Sequence, residues 1–344
     1  MLDKDSALII KNLKNLRYLS DFSGSEGIIY MEKDKSLFIS DRRYEERCYR
    51  EVKNFEILIG GKEPFKEALE RCGSRKVLFV EYTDFSIAEA ETVRNLSKDI
   101  ELKDISRIIN EFRMKKDEEE VRLIKEASKI NRKAFERFLG FIEKNVGKVT
   151  EREAALELEY IMRKEGSEIP YFPAIVASGG NASVPHARSS EKRIEEGGLL
   201  IDFGSVKDGY STDETTSIFV GKVDEEYRKI WEIVRDAKNY AIESIKVGER
   251  LSLPERRARE FLAKYGLEGF FVHSIGHGVG LDVHELPRLT KDSEGVFQEG
   301  MVFTIEPGVY IMGKMGIRLE EVIYLSSHGI EVLTEINKEE LICV

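Results

Sequence analysis

An isolated charge inside an apolar strand is very costly, so an acid in such a run has to be paired, hydrogen-bonded or bound to a metal. Leu199-Leu-Ile-Asp202-Phe-Gly204 is such a run, and the pattern recurs along the second half of the chain. Tyr210-Ser-Thr-Asp213-Glu-Thr-Thr-Ser-Ile-Phe-Val220 sets an acid at the entry to a strand, and Met301-Val-Phe-Thr-Ile-Glu306 ends on one. In Gly316-Ile-Arg318-Leu-Glu320-Glu-Val-Ile-Tyr-Leu a period of two puts Arg318 and Glu320 on one face, with Ile317, Leu319 and Ile323 on the other. A strand, short loop, strand arrangement brings Asp202 and Asp213 together. Two facing aspartates repel and shift each other's pKa, and a divalent cation between them removes the conflict.

The chain has 5 histidines, and three of them fall in His273-Ser-Ile-Gly-His277-Gly-Val-Gly-Leu-Asp-Val-His284-Glu-Leu-Pro287. Gly276, Gly278 and Gly280 alternate through this stretch, which suits a close approach of backbone and ring nitrogens to a common point. A fourth, His186, is presented by the Gly/Asn loop that follows the apolar stretch from Pro170. The His284-Glu285 pair is not a zincin helix, because no second histidine follows and Pro287 interrupts helical pairing. Four carboxylates at strand positions plus one imidazole form the ligand inventory of a two-metal hydrolase. Hard oxygens with one nitrogen suit Mn²⁺, Co²⁺ or Zn²⁺. Bridging carboxylates hold two such ions about 3.5–4 Å apart.

At 344 residues the chain is long enough for two domains. Its 41% hydrophobic and 34% charged content describes a soluble globular protein, and the net charge of -10 argues against nucleic acid or anionic lipid as a partner. No apolar run approaches the roughly 20 residues of a membrane span. Met1-Leu-Asp-Lys-Asp5 lacks a signal-peptide layout, and Cys48, Cys72 and Cys343 form no Cys-x-x-Cys pair. A cytoplasmic protein is the expectation.

Residues 1–106 read as a small α/β domain. A helix is expected over Leu8–Leu19, then a turn at Gly24–Gly27, strands at Gly27–Met31, Ser36–Ser40 and Lys76–Glu81, and a helix over Ser86–Leu96. Asp41-Arg-Arg-Tyr44, at a strand end, is the one motif of this half placed to touch a ligand. Residues 107–344 form the second domain, and its first long helix opens on a capping box at Asp117 and Glu120. A second box at Thr150 and Glu153 starts a helix that stops at Gly166. Further helices are expected over Glu225–Lys246 and from a third box, Ser252-Leu-Pro-Glu255, to Gly266.

The order and local sequence of these blocks resemble the pita-bread metallopeptidases: prolidase (Xaa-Pro dipeptidase), aminopeptidase P, methionine aminopeptidase and creatinase. The matching pieces are Asp202-Phe-Gly with Asp213, His273-x-x-Gly-His277-Gly-Val-Gly-Leu-x-x-His284-Glu, Thr304-Ile-Glu306-Pro-Gly and Gly316-Ile-Arg318-Leu-Glu320. Tyr18-Leu-Ser-x-Phe-x-Gly-Ser25 and Asp41-Arg-Arg-Tyr44 resemble the creatinase-type N-terminal domain, which methionine aminopeptidase lacks. The fold implied is an α/β (α+β) chain, with a creatinase-type α/β domain followed by a curved antiparallel sheet covered by helices.

The resemblance also implies roles. Asp202 chelates one metal, Asp213 and Glu320 bridge both, and His277 and Glu306 complete the second site, with Mn²⁺ or Co²⁺ favoured over Zn²⁺. His186 and His284 stand on the substrate side, where they orient the peptide or stabilise the tetrahedral intermediate. Arg288 meets the free carboxylate of a dipeptide, Arg318 orients the carboxylates, and Glu306 shuttles protons. The family usually carries an arginine where this chain has Thr216, which puts local salt bridging in doubt. The implied activity is hydrolysis of Xaa-Pro dipeptides. Aminopeptidase P, acting on longer peptides with proline second, is the near alternative, and a catalytically silent scaffold is the alternative from another class. A homodimer is implied, with Asp41 to Tyr44 reaching toward the partner's site.

Overall fold

The computed structural model describes residues 2–61, 63–96 and 99–344. The chain forms two compact units, Met1–Arg113 and Met114–Val344. The division lies one helix later than the 106/107 boundary read from the sequence, because Ile105 and Ile109 pack into the first unit's core with Leu16, Phe22 and Phe38.

The first unit runs β1 (Ser6–Ile10), α1 (Leu13–Ser20), β2 (Ile28–Glu32), β3 (Lys35–Asp41), α2 (Glu45–Glu51), β4 (Glu56–Gly60), α3 (Pro64–Cys72), β5 (Val77–Val80), α4 (Ile87–Leu96), β6 (Glu101–Asp104) and α5 (Ser106–Met114). Its six strands form one mixed sheet in the order β4-β3-β2-β1-β5-β6. Strand alternation feeds both faces: Ile9, Ile28, Leu37, Ile39 and Val80 pack with Leu69 of α3 and Val93 of α4, while Ile10, Ile29 and Phe38 pack with Leu16 of α1. The helix expected over Leu8–Leu19 is corrected here. Residues 6–10 are an interior strand, and the helix starts only after Asn12, whose side chain accepts from the Lys14 and Asn15 N–H groups. Asp41 and Arg43 form an ion pair with each other at the end of β3.

The second unit continues with α6 (Glu118–Asn145), α7 (Glu151–Glu165), β7 (Ile175–Ser178), β8 (Gly197–Phe203), β9 (Val206–Lys207), β10 (Tyr210–Ser211) and β11 (Glu214–Val220). Then come α8 (Glu225–Glu243), α9 (Leu253–Ala263), β12 (Gly276–Gly278), β13 (Glu285–Leu289), β14 (Val302–Ile305), β15 (Gly308–Ile311), β16 (Met315–Arg318), β17 (Glu321–Ser326) and β18 (Gly329–Val332). Both expected capping boxes form, at Asp117/Glu120 and Thr150/Glu153, and α7 ends at Gly166 with φ 114. The box expected at Ser252 does not. Ser252 makes no capping hydrogen bond, and Glu255 instead accepts from Arg259 and from the Lys291 N–H.

Strands pair antiparallel throughout this unit, in sheets ordered β11-β8-β7, β13-β12-β14-β17-β18, β10-β9 and β15-β16. Phe138, Leu158 and Met162 of α6 and α7 pack on Leu199, Ile201 and Phe203 of β8. Trp231 and Val234 of α8 and Leu262 of α9 pack with Phe303, Ile305, Ile317, Leu319 and Ile323. The single strand expected across residues 316–325 is broken at Leu319 and Glu320, so β16 pairs with β15 while β17 joins β14. No helix among the described residues is long and apolar enough to cross a membrane.

Gly276 shows how tightly β12 is held. A Cβ there would lie 2.0 Å from the Thr304 carbonyl oxygen. Gly276→Ala therefore forces backbone apart, and an overpacking cost of about 1–3 kcal/mol is expected. Urea denaturation of the variant checks this, and an unchanged midpoint would contradict the close approach.

Candidate active site

The site is assembled by strand alternation. In β8, Leu199, Ile201 and Phe203 face the helices while Asp202 turns the other way. The register of β8 against β11 sets Thr215 opposite Asp202 and Glu214 opposite Phe203, which leaves Asp213 beside Asp202. Residues 319 and 320, between β16 and β17, then lie against β11, where the Glu320 N–H donates to the Thr215 carbonyl at 3.0 Å. The far wall is β12, flanked by β13 and β14, which delivers His277 and, just past β14, Glu306.

All five expected ligands meet. Ligand atoms of Asp202, Asp213 and Glu320 lie within 4.8 Å of one another, and so do those of His277, Glu306 and Glu320. His277 Nε2 is 3.4 Å from Glu306 Oε1 and 3.6 Å from Asp213 Oδ2. Its Nδ1 faces the Gly278 carbonyl at 3.2 Å, so Nδ1 carries the hydrogen and Nε2 keeps a lone pair aimed at the acids. Glu320 appears in both trios, as a residue bridging two ions would.

Arg318 organises the carboxylates from behind. Nη2 donates to Asp202 Oδ2, Nε to Thr215 Oγ1 at 2.9 Å, and Nη1 to Tyr310 OH at 2.8 Å and the Pro185 carbonyl at 3.1 Å. Thr215 passes the contact on, its hydroxyl donating to Glu320 Oε2 at 2.7 Å. Tyr310 OH in turn meets His273 Nε2 at 2.9 Å, while His273 Nδ1 donates to the Ser274 carbonyl. Sequence reasoning did not single out Tyr310 or Thr215, which sit in ordinary strand runs, and it left His273 without a role.

Burial is the main cause of the site's electrostatics. It raises the Asp213 carboxyl well above the usual range, with Asp202 and Glu306 adding repulsion, and raises Glu320 likewise, with Asp213 contributing next. Glu306 is pushed up to about 7, again chiefly by burial. His277 is pushed down to about 3 by burial and then by His284, so its ring is neutral near pH 7. Asp202 Oδ1 and Glu320 Oε1 are buried with no hydrogen-bond partner. Buried oxygens of this kind call for a cation, and the donor set of carboxylates with one neutral imidazole fits divalent metals.

His284 lies on the open side, its ring T-shaped against His277 at 4.2 Å between centroids. It can complete a third cluster with Asp213 and His277. His186 and Arg288 are exposed, and Arg288 stands opposite His277 in the β12–β13 ladder. Thr216 is buried on the face of β11 that points away from Asp213. On that face Lys338 supplies a cation, its Nζ lying 2.5 Å from Glu214.

Comparison with known proteins agrees with this construction. The profile of metallopeptidase family M24 matches residues 122–327, and that of the creatinase/prolidase N-terminal domain matches residues 3–115. The Xaa-Pro dipeptidase of Pyrococcus furiosus is 36% identical over 330 residues, 95% of this chain and 92% of that one. The crystal structure of the prolidase from Pyrococcus horikoshii superposes with a TM-score of 0.91 at 34% identity, covering 97% of this chain and 95% of that one. An X-Pro aminopeptidase structure from Thermotoga maritima gives 0.90 at 34% identity, covering 98% and 97%. The chain belongs to metallopeptidase family M24, with a creatinase/prolidase N-terminal domain preceding its peptidase domain.

Proposed function

We propose that this metallopeptidase is an Xaa-Pro dipeptidase, acting on small peptides with proline in second position. The observation that carries the reading is the convergence of Asp202, Asp213, His277, Glu306 and Glu320 on one buried point, with two carboxylate oxygens left unpaired. Relatives named Xaa-Pro dipeptidase, similar over nearly the whole chain, supply the substrate class.

In this reading Asp202 would hold one divalent ion, His277 and Glu306 the second, and Asp213 and Glu320 would be shared by both. Mn²⁺ or Co²⁺ is proposed ahead of Zn²⁺. When bound, two such ions supply Lewis acidity and a water acidic enough to be ionised near neutral pH. The protein's own groups do the rest. Glu306 is proposed to take a proton from water and return it to the departing proline nitrogen. His186 and His284 are proposed as donors to the carbonyl oxygen as it gains charge. Arg288, exposed beside the His277 ladder position, is proposed to meet the dipeptide's free carboxylate. Arg318 positions Asp202 directly and Glu320 through Thr215.

A homodimer and a cytoplasmic setting complete the proposal. The buried free thiols of Cys48 and Cys72 fit the latter. A monomer mass independent of concentration in ultracentrifugation would contradict the dimer. The alternative with an observation in its favour is Xaa-Pro aminopeptidase activity, given the likeness to the Thermotoga maritima structure.

Two outcomes are expected. Met-Pro is cleaved only when Mn²⁺ or Co²⁺ is restored to metal-stripped protein, and Met-Pro-Gly is cleaved poorly. Preference for the tripeptide would transfer the assignment to aminopeptidase P. Because Glu306 holds its proton up to about pH 7, and Asp213 and Glu320 are shifted in the same direction, metal binding at about pH 6 should expel protons. The release should shrink by about pH 8, with affinity rising across the interval, and His277, near 3, should contribute nothing. Calorimetry in buffers of different ionisation enthalpy reads this, and a release that does not vary with pH would contradict it.

A further inference from the structure

The five ligand side chains are drawn from two separate sheets. Asp202 and Asp213 come with β8 and β11, whereas His277, Glu306 and Glu320 come with β12, β14 and β17 of the other sheet. A centre built across two sheets needs them held to within about 0.5 Å of the productive geometry. On the site face the two Thr215–Glu320 hydrogen bonds link them, beside the contacts of Arg318 with Asp202 and Thr215.

A second link lies on the opposite face, where the mechanism above uses nothing. Alternation turns Glu214 and Glu321, the neighbours of Asp213 and Glu320, away from the site. Both meet Lys338: its Nζ is 2.5 Å from Glu214 Oε1 and 3.2 Å from Glu321 Oε2, with all three side chains buried. Asn131 donates to Glu214 Oε2 at 3.4 Å, Lys238 lies 3.1 Å from Glu321 Oε1, and the Thr334 hydroxyl donates to Glu321 Oε2. Lys238 also meets Glu339 at 3.0 Å.

The backbone of the terminal segment follows the same route. The Leu333 N–H donates to the Val322 carbonyl of β17 at 2.8 Å, and farther along, the Phe219 N–H of β11 donates to the Ile342 carbonyl at 3.0 Å. Residues 333–344 therefore stitch β17 to β11, and Lys338 closes the stitch with charge. Without it two buried carboxylates on different sheets lose their shared cation and repel.

We propose that Lys338 is a positioning residue of the metal centre. By bridging Glu214 and Glu321 it fixes the separation of Asp213 and Glu320, and so sets the affinity for the ions those two acids share. The inference rests on the ligand reading given above.

The test is Mn²⁺ binding by isothermal titration calorimetry on the metal-stripped full chain. It compares wild type, K338M, the charge-balanced pair E214Q/K338M, and E339Q as a control in the same network but off the bridge. Wild type and E339Q are expected to bind two ions. E214Q/K338M is expected to bind one of the two at least tenfold more weakly, with circular dichroism unchanged. A purely structural role would lower Tm and leave both affinities alone. If K338M does not fold, the charge-balanced pair carries the test. If neither folds, K338R carries it, expected to weaken one ion at least threefold by displacing the bridge. Wild-type affinity for both ions in the folded bridge variant would overturn the proposal. Wild type that binds no Mn²⁺ would instead remove the ligand reading itself.

Discussion

Mutual repulsion among buried carboxylates is the constraint on which the second unit is built. Asp213 and Glu320 are almost wholly enclosed, Asp202 lies against them, and Glu306 faces them across His277. A cluster of this kind is unstable unless positive charge is delivered to it. Arg318 delivers part, fully engaged with Asp202, Thr215, Tyr310 and the Pro185 carbonyl. The oxygens that Arg318 and Thr215 leave unsatisfied mark where divalent ions would complete the balance.

The rest of the unit can be understood as support for that cluster. The helices α6 and α7 bury the odd-numbered residues of β8, which fixes the direction in which Asp202 points. The helices α8 and α9 bury Ile317, Leu319 and Ile323, which does the same for Arg318 and Glu320. Core packing and ligand geometry are thus two faces of the same strands, and a shift of one residue in register would exchange them.

Much of this was legible in the sequence because period-two alternation survives local breaks. Arg318 and Glu320 share a face as expected even though the strand is interrupted between them, since both flanking pieces keep their apolar side against α8 and α9. The residues that hold the ligands were harder to read. Tyr310 sits in Gly-Val-Tyr-Ile and Thr215 in Glu-Thr-Thr-Ser, runs that any strand might contain, and only tertiary contact gives them partners. Leu8, Ile9 and Ile10 misled for a related reason: with Leu13, Leu16 and Leu19 they fit a helical period, and the cap at Asn12 was the cue that separates strand from helix. The box at Ser252 misled because Glu255 finds Arg259 and a distant backbone N–H, a choice made by the fold and not by local spacing.

The most direct test of the account is Glu320→Ala, because Glu320 is the carboxylate shared by the Asp202–Asp213–Glu320 and His277–Glu306–Glu320 clusters. Metal content and Met-Pro hydrolysis should be measured together on wild type and variant after loading with Mn²⁺. The account predicts two ions per chain and turnover for wild type, and fewer than two ions with hydrolysis abolished for the variant. Undiminished hydrolysis by a folded Glu320→Ala protein would contradict it.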